Sequence, residues 1–104
     1  MSQRHEQMQE RMRETAAEFL ARESNRQSMV TVTAAEVSGD GKRARIYITV
    51  MPDDYEEEAV KFANRNKHEF GMYLLKKVRG MRIPQMEFVI DRGEKMRQRL
   101  DELS

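Results

Sequence analysis

Residues 74–88 read LLKKVRGMRIPQMEF, and this stretch joins a predicted helix to a predicted strand. Apolar residues at helical spacing predict the helix over about residues 69–79, with Gly80 as its C-terminal stop. Alternating apolar residues predict the strand over residues 83–91, and Pro84 near its start is tolerated on an edge strand. The stretch therefore predicts a helix followed by the edge strand of a sheet, with several cations beside the junction.

The residues upstream predict the rest of that sheet and a covering helix. An apolar stripe with helical spacing predicts an amphipathic helix over about residues 3–23. Residues 29–38 and 43–50 are rich in β-branched side chains and predict two strands. The sequence GDG at residues 39–41 is a strong turn signal, so the two strands are predicted to form an antiparallel hairpin.

The alternation within the hairpin predicts which side chains face the core. Val32 and Ala34 alternate in the first strand, but Val37 is out of phase with them, which predicts a β-bulge or a change of register. The inward-facing residues of the second strand are Ala44, Ile46, Ile48 and Val50. Arg43 and Arg45 are therefore expected on the opposite face of the sheet from the helices.

A further helix is predicted after the hairpin. Asp53 and Asp54 are candidate N-caps, and the three glutamates at residues 56–58 lie where the helix dipole favours negative charge. The acidic cluster thus has a structural explanation and no predicted catalytic role. Residues 64–68, NRNKH, make a poor helix interior and predict a bend before the next helix.

The predicted order is α-β-β-α-α-β. The helix pair between the second and third strands is long enough for a parallel crossover, so the three-stranded sheet is predicted to be mixed. We expect a two-layer α+β fold, with the helices on one face of the sheet. The whole chain, residues 1–104, is predicted to form a single domain in which residues 92–104 are a C-terminal helix or tail.

The positive charge is concentrated in one segment. The net charge is only +1, but residues 61–82 carry seven basic residues and one acidic residue. A local cationic patch indicates a directed interaction with an anionic partner. The alternative is a solvated helix face whose acidic partners lie elsewhere in the fold, and charge alone leaves both interpretations open.

Composition and motifs argue against an enzyme. The chain has no cysteine, which excludes disulfides and thiolate metal sites and fits a reducing cytoplasm. His5 and His68 lie on different predicted elements without a second ligand at metal spacing, and no glycine-rich phosphate loop follows a strand. No apolar run approaches the roughly 20 residues that span a bilayer. We therefore expect a cytoplasmic protein with no catalytic residues, no metal and no cofactor.

Nucleic acid is the anionic partner that these residues favour. Lys76 and Lys77 supply phosphate contacts, and Tyr73 beside them supplies a ring for stacking. The alternative for Tyr73 is that its ring lies against the lysine stems without touching a partner. The predicted RNA-binding residues are Lys67, His68, Tyr73, Lys76, Lys77, Arg79, Arg82, Arg43 and Arg45.

Several pieces along most of the chain resemble the ribosome-binding factor A family. They are VTVTAAEV at residues 30–37, the hairpin residue Asp40, AxIYITV from Ala44, LxKKVR from Leu74, RIPQMEFVID from Arg82, and Arg99-Leu100 with Leu103 near the end. The resemblance implies a type II KH-like fold and a non-enzymatic assembly factor. Such a factor binds rRNA of the immature small ribosomal subunit, promotes its late maturation and then leaves, often in connection with growth in the cold. We expect it to be a monomer.

The chain departs from the family pattern at the bend. Asn66-Lys67-His68 stands where family members carry an Ala-x-Gly element, although Asn and His tolerate unusual backbone angles and a bend is still expected. Gly71 stands where members often carry arginine, and Gln85 where glutamate is usual. Two alternatives stay open: a protein-interaction module that shares the fold, and a KH-like module for single-stranded RNA, which normally needs a glycine clamp.

Overall fold

The computed structural model describes residues 3–23 and 28–93, and its elements follow the predicted order. They are α1 (Gln3–Glu23), β1 (Met29–Val37), β2 (Arg43–Met51), a 3-10 turn (Asp53–Tyr55), α2 (Glu56–Arg65), α3 (Lys67–Lys77) and β3 (Gln85–Ile90). The predicted fold class, α+β with helices on one face of a mixed sheet, is confirmed. The predicted C-terminal helix or tail lies, from residue 94 onward, outside the described residues.

The sheet has β2 at its centre and the other two strands at its edges. β1 pairs with β2 antiparallel, and β3 pairs with β2 parallel, as the sequence predicts. Pro84 is buried immediately before the first residue of β3. A proline there removes no hydrogen bond from the ladder, because the strand begins one residue later.

The predicted bulge lies in the middle of β1. The register shifts between Val32 and Ala34, so that Thr33 is the additional residue. The shift turns Ala35 and Val37 toward the core, where both are buried, while Ala34 is only half-buried. The bulge is therefore confirmed, and it moves the inward position from Ala34 to its neighbour.

The core lies between the sheet and the helices. Phe70 of α3 packs against Phe19 of α1, with ring centroids 5.4 Å apart, and against Phe88 of β3, at 5.8 Å. All three rings are buried, together with Leu74 one turn further along α3. Buried aromatic side chains supply large apolar areas, and ring pairs at these separations add to that contribution. α3 is thereby fixed to both α1 and the sheet.

The start of α2 differs from the prediction. Asp53 and Asp54 form the 3-10 turn, and Tyr55 precedes α2 without a side-chain capping bond, so the aspartates are not its N-caps. Because the 3-10 turn occupies residues 53–55, α2 begins at Glu56. The three glutamates of the first turn nevertheless keep the predicted favourable placement at the positive end of the helix dipole.

The end of α3 also differs from the prediction. The helix ends at Lys77 because Val78 takes an extended conformation, with φ −120° and ψ 108°. Gly80 has φ +79° and belongs to the turn that follows, where a left-handed conformation favours glycine. The residue that stops α3 is thus a β-branched valine, and the glycine shapes the connection to β3.

Candidate nucleic-acid interface

The bend between the two consecutive helices forms without a glycine. Asn66 alone separates α2 from α3, with φ −100° and ψ 11°. Its side-chain Nδ2 donates a hydrogen bond to the Phe62 carbonyl oxygen at 2.8 Å. No non-glycine residue of the described chain has a positive φ, so the bend is confirmed but needs no unusual backbone angle. The bend therefore forms at Asn66, which stands at the alanine position of the family element, with an ordinary backbone conformation and a local side-chain bond.

Side chains on both sides of the bend form hydrogen bonds to the free edge of β3. The Asn64 side chain accepts a hydrogen bond from the Phe88 N–H at 2.9 Å and donates one to the Phe88 carbonyl at 3.0 Å. Lys67 Nζ donates to the Met86 carbonyl oxygen at 3.4 Å. Because an open strand edge carries unsatisfied backbone groups, these two side chains cover part of an edge that would otherwise be exposed.

Lys67 meets the two arginines of β2 at this edge. A cleft of about 320 Å³ is lined by Arg43, Ala44, Arg45, Lys67, Gln85, Met86 and Glu87. Three of the predicted RNA-binding residues, Lys67, Arg43 and Arg45, therefore border one concave surface. His68, the next residue along α3, is exposed to solvent.

The charge of Arg45 is largely balanced within the sheet. Its guanidinium lies 2.9 Å from the Glu87 carboxylate, and its side chain is only 15% exposed. Burial alone lowers the pKa of Arg45, but its interactions with Tyr47 and Glu87 outweigh burial and raise the pKa. In the strand register Arg45 stands between Glu36 and Glu87. The predicted position of Arg45 opposite the helices is correct, but its charge already has a partner within the fold.

The cations at the end of α3 are exposed and unpaired within the described chain. These residues are Lys76, Lys77, Arg79 and Arg82. Among residues 3–23 and 28–93, no carboxylate lies within 4.0 Å of their charged groups. The interpretation that acidic partners elsewhere in the fold neutralise the segment is thus not supported for these four cations over those residues, although Lys61 in the same segment pairs with Glu57. These charges are available to an anionic partner.

Tyr73 lies in the seam between α1 and α3. Its hydroxyl donates a hydrogen bond to Glu18 at 3.1 Å, and its ring centroid lies 5.6 Å from that of Phe19. Lys77 Nζ and the Arg22 guanidinium carbon each lie 5.4 Å from the centre of the Tyr73 ring. The ring is half-buried and contacts cations of its own chain. This arrangement agrees with the alternative interpretation, in which the Tyr73 ring lies against neighbouring cationic side chains.

Sequence reasoning missed the arginines that α1 brings to this seam. Arg22 contacts the ring of Tyr73, and Arg11 donates a hydrogen bond from Nη2 to the Lys77 carbonyl oxygen at 3.1 Å. Arg11 and Arg22 are 11 residues apart, about three helical turns, which places them on one face of α1. This spacing could have predicted from the sequence that both arginines face the same neighbour. A charge count by segment hides it, because the basic and acidic residues of α1 nearly cancel.

The structure also shows the surroundings of His5 and of the acidic side chains in the residues that it describes. His5 lies with Nε2 2.9 Å from the Val37 carbonyl oxygen, which is a structural contact at the edge of β1. Residues 3–23 and 28–93 contain no group of three His, Asp or Glu side chains that could hold a metal ion. Within the same residues no helix is both long and apolar enough to cross a membrane.

Comparison with protein families supports the resemblance seen in the sequence. The family model described as Ribosome-binding factor A matches residues 4–104. The Ribosome-binding factor A of Pseudomonas fluorescens (strain SBW25) is 34% identical over 87 residues, which cover 79% of this chain and 66% of that protein. The chain spans slightly less than two thirds of the length of the first curated relatives that it matches, 62% and 66%.

Solved structures share the fold. The crystal structure of ribosome-binding factor A from Thermus thermophilus has a TM-score of 0.77 and 23% identity, covering 86% of this chain and 98% of that one. A homology model of the Thermus thermophilus protein, fitted into a cryo-EM map of a 30S–RbfA complex, has a TM-score of 0.71 and 24% identity, covering 82% and 92%. The family match over residues 4–104, together with this shared fold, shows that the chain belongs to the ribosome-binding factor A family.

Proposed function

We propose that this protein binds rRNA of the immature small ribosomal subunit and promotes its late maturation without catalysing a reaction. Membership of the ribosome-binding factor A family supports a ribosomal target, and the Thermus thermophilus relative has been fitted into a complex with the 30S subunit. The observation that carries the proposal is the group of exposed cations at the end of α3, which have no ion pair in the described chain. We expect the protein to act in the cytoplasm as a monomer.

The cations at the end of α3 project from a helix that is packed firmly against the core, which suits them to bind a rigid anionic surface such as folded rRNA. Phe70 and Leu74 on the inner side of α3 are fully buried, so Lys76 and Lys77 project from a helix that is held against the sheet. A rigid support reduces the side-chain and backbone ordering that binding must otherwise impose. Contacts from Lys and Arg to phosphates supply affinity that is independent of base sequence.

The remaining predicted contacts fall into two groups around α3. Lys67 and His68 lie at its N-terminal end, where Lys67 also borders the cleft with Arg43 and Arg45. Tyr73 lies on its α1 side and places its ring beside Lys77. We propose that RNA contacts begin at the C-terminal cations and extend along α3 toward the cleft.

The proposed function acts through binding. A factor that binds rRNA in one conformation more tightly than in others shifts the population toward that conformation, by no more than its difference in affinity. No step in this mechanism requires a catalytic group, a metal or a cofactor. Release follows when the mature conformation binds the factor less tightly.

A salt titration with matched variants tests the proposal. We expect Lys76→Glu with Lys77→Glu to weaken binding to small subunits about 10-fold to 100-fold at roughly 0.1 M salt, and to reduce the salt dependence of binding. Lys61→Glu with Arg65→Glu makes the same change of net charge on α2 and is the control, with a much smaller expected loss. Co-sedimentation of the purified variants with small subunits measures both.

Two results would contradict the proposal. Wild-type protein that stays in the ribosome-free fractions of a lysate gradient would remove the ribosomal target. Binding to rRNA that is insensitive to salt and unchanged in the Lys76/Lys77 variant would show that the basic-helix mechanism is wrong, even with the family membership standing.

A further inference from the structure

Three exposed apolar side chains lie together on the outer side of α3 and its connection to β3. Met72 and Leu75, one turn apart on α3, are 46% and 41% exposed, and Ile83 in the connection is 44% exposed. Ile83 packs directly on Gly71: a Cβ added to Gly71 would lie 3.0 Å from Ile83 Cγ2. Leu75 lies one turn beyond Gly71 and one turn beyond Met72, so helix geometry places it between Ile83 and Met72, and these three residues are here called the α3 patch (Met72, Leu75 and Ile83).

The α3 patch is held in place by the packing beneath it. Gly71 is buried within α3, and its missing side chain gives Ile83 the space to approach the helix. Pro84, the next residue, is buried and fixes the connection before β3 begins. Single exposed apolar residues are ordinary, but a fixed group of neighbouring ones is typical of an interaction surface.

The border of the α3 patch is cationic. Lys76 follows Leu75 on α3, Arg82 precedes Ile83, and Arg79 lies in the turn between them. All three are exposed, and no carboxylate of residues 3–23 or 28–93 pairs with them. Charge complementarity therefore calls for a partner that carries carboxylates around an apolar anchor.

The chemistry of the patch itself favours protein over RNA as its occupant. Its three side chains have no ring on which a base could stack, and they have no hydrogen-bonding group for a base edge or a phosphate. Methionine and arginine are enriched in the cores of protein interfaces, and methionine adapts its shape to its partner. Lys76, Arg79 and Arg82 lie at the boundary between the patch and the proposed RNA-binding surface, so the two partners would lie side by side and meet at these cations.

We propose that the α3 patch docks on a protein segment in which an apolar anchor is flanked by acidic side chains. This inference rests on the proposed function in one respect: the protein segment is assumed to belong to the small ribosomal subunit. A surface of three side chains is small, so the contact adds to RNA binding and is too weak to hold alone. The patch then gives the factor a preference for assembled subunits over naked rRNA.

The test compares purified small subunits with naked rRNA transcribed in vitro. We expect Met72→Ser with Leu75→Ser to weaken binding to subunits about 10-fold and to leave binding to the transcript within about twofold. Met29→Ser with Met51→Ser removes two equally large exposed side chains at the opposite end of the sheet and is the control, with both affinities unchanged. Thermal unfolding confirms that each variant is folded.

A second measurement does not depend on those substitutions. A photo-crosslinking amino acid at position 72 is expected to form an adduct with a protein of the purified subunit, at an acidic segment identified by mass spectrometry. Adducts with rRNA alone, or equal losses of affinity for subunits and transcript in the Met72/Leu75 variant, would overturn this inference and leave the proposed function standing. Wild-type protein that fails to bind subunits at all would overturn both.

Discussion

The side-chain amide of Asn64 pairs with both backbone groups of Phe88, at 2.9 Å to the N–H and 3.0 Å to the carbonyl oxygen. Asn64 lies in the last turn of α2, and Phe88 is in the middle of the edge strand β3. The amide thus occupies the position that a neighbouring strand would take at this edge. The same contact fixes the end of α2, and with it the start of α3 and its cations, to the sheet.

We expect Asn64→Ala to lower the free energy of unfolding by about 1–3 kcal/mol, because it leaves the partly buried Phe88 backbone groups without partners. Asn66→Ala is the control. Its amide donates only to the Phe62 carbonyl of the preceding helix, so a loss below about 1 kcal/mol is expected. Urea denaturation of the two variants measures both values. Equal losses would show that the contact with β3 contributes nothing beyond a local helix bond.

Gly71 and Ile83 are expected to be energetically coupled. An alanine in a helix interior is favoured over glycine by about 1 kcal/mol, but at Gly71 its Cβ would displace the Ile83 side chain. Gly71→Ala should therefore stabilise the Ile83→Ala variant by about 1 kcal/mol and stabilise the wild-type protein by clearly less. A double-mutant cycle in urea gives the coupling, and strictly additive effects would contradict the close packing of these two residues.

The sequence was sufficient for features that depend on local periodicity. The bulge in β1 followed from Val37 being out of phase, and the bend followed from the run NRNKH before α3. Helix ends were less predictable: Asp53 has a favourable residue type for an N-cap, but the 3-10 turn decides where α2 starts. Local preference for a cap is worth only about 1 kcal/mol, so the geometry of the chain entering the helix overrides it.

The candidate site was less predictable than the fold because its electrostatics depend on residues distant in sequence. Arg45 alternates onto the outer face as expected, but its pairing with Glu87 joins strands 42 residues apart. Arg22 reaches Tyr73 only because α1 packs beside α3. A charge count along the chain records neither relationship, whereas the exposed cations of residues 76–82 were visible because they are neighbours in sequence.

Asp40 in the hairpin turn is expected to contribute to the acid sensitivity of folding. Hydrogen bonds from the Ser38 hydroxyl and the Lys42 backbone N–H lower the pKa of Asp40. A carboxylate whose pKa is lower in the folded protein stabilises the fold above its unfolded pKa, near 3.9, and loses this contribution as the pH falls through the folded pKa. Between about pH 5 and about pH 2.5, the melting temperature of Asp40→Asn should therefore fall less than that of the wild type.

The measurement is thermal unfolding of both proteins across that pH range, with Asp54→Asn as a control at an exposed aspartate outside the hairpin. The control measures the effect of removing one exposed carboxylate that takes no part in the hairpin turn. Parallel curves for Asp40→Asn and the wild type would mean that the turn hydrogen bonds do not favour the ionised carboxylate. An NMR titration of the Asp40 side chain checks the direction of the pKa change directly.

Lys67 and Arg45 both line the cleft at the edge of β3, but only Arg45 has a carboxylate partner among the described residues. The salt dependence of RNA binding can distinguish their contributions. Within residues 3–23 and 28–93, Lys67 bonds to the Met86 carbonyl oxygen and to no carboxylate, whereas Arg45 has the Glu87 carboxylate at 2.9 Å. If phosphate lies in the cleft, Lys67→Gln should reduce the slope of log affinity against log salt by about 0.7–0.9, the value for one phosphate contact. Arg45→Gln should change the slope less, because its charge is already offset.

Glu87→Gln completes the comparison by removing the carboxylate that lies 2.9 Å from Arg45. It leaves the shape of the side chain nearly unchanged but removes one of the two carboxylates beside Arg45, so we expect a steeper salt dependence and an affinity for rRNA that rises a few-fold. Filter binding of the three variants to one rRNA transcript at several salt concentrations measures all of these changes. If Lys67→Gln and Glu87→Gln both leave the slope unchanged, phosphate does not enter the cleft, and RNA binding is confined to the cations at the other end of α3.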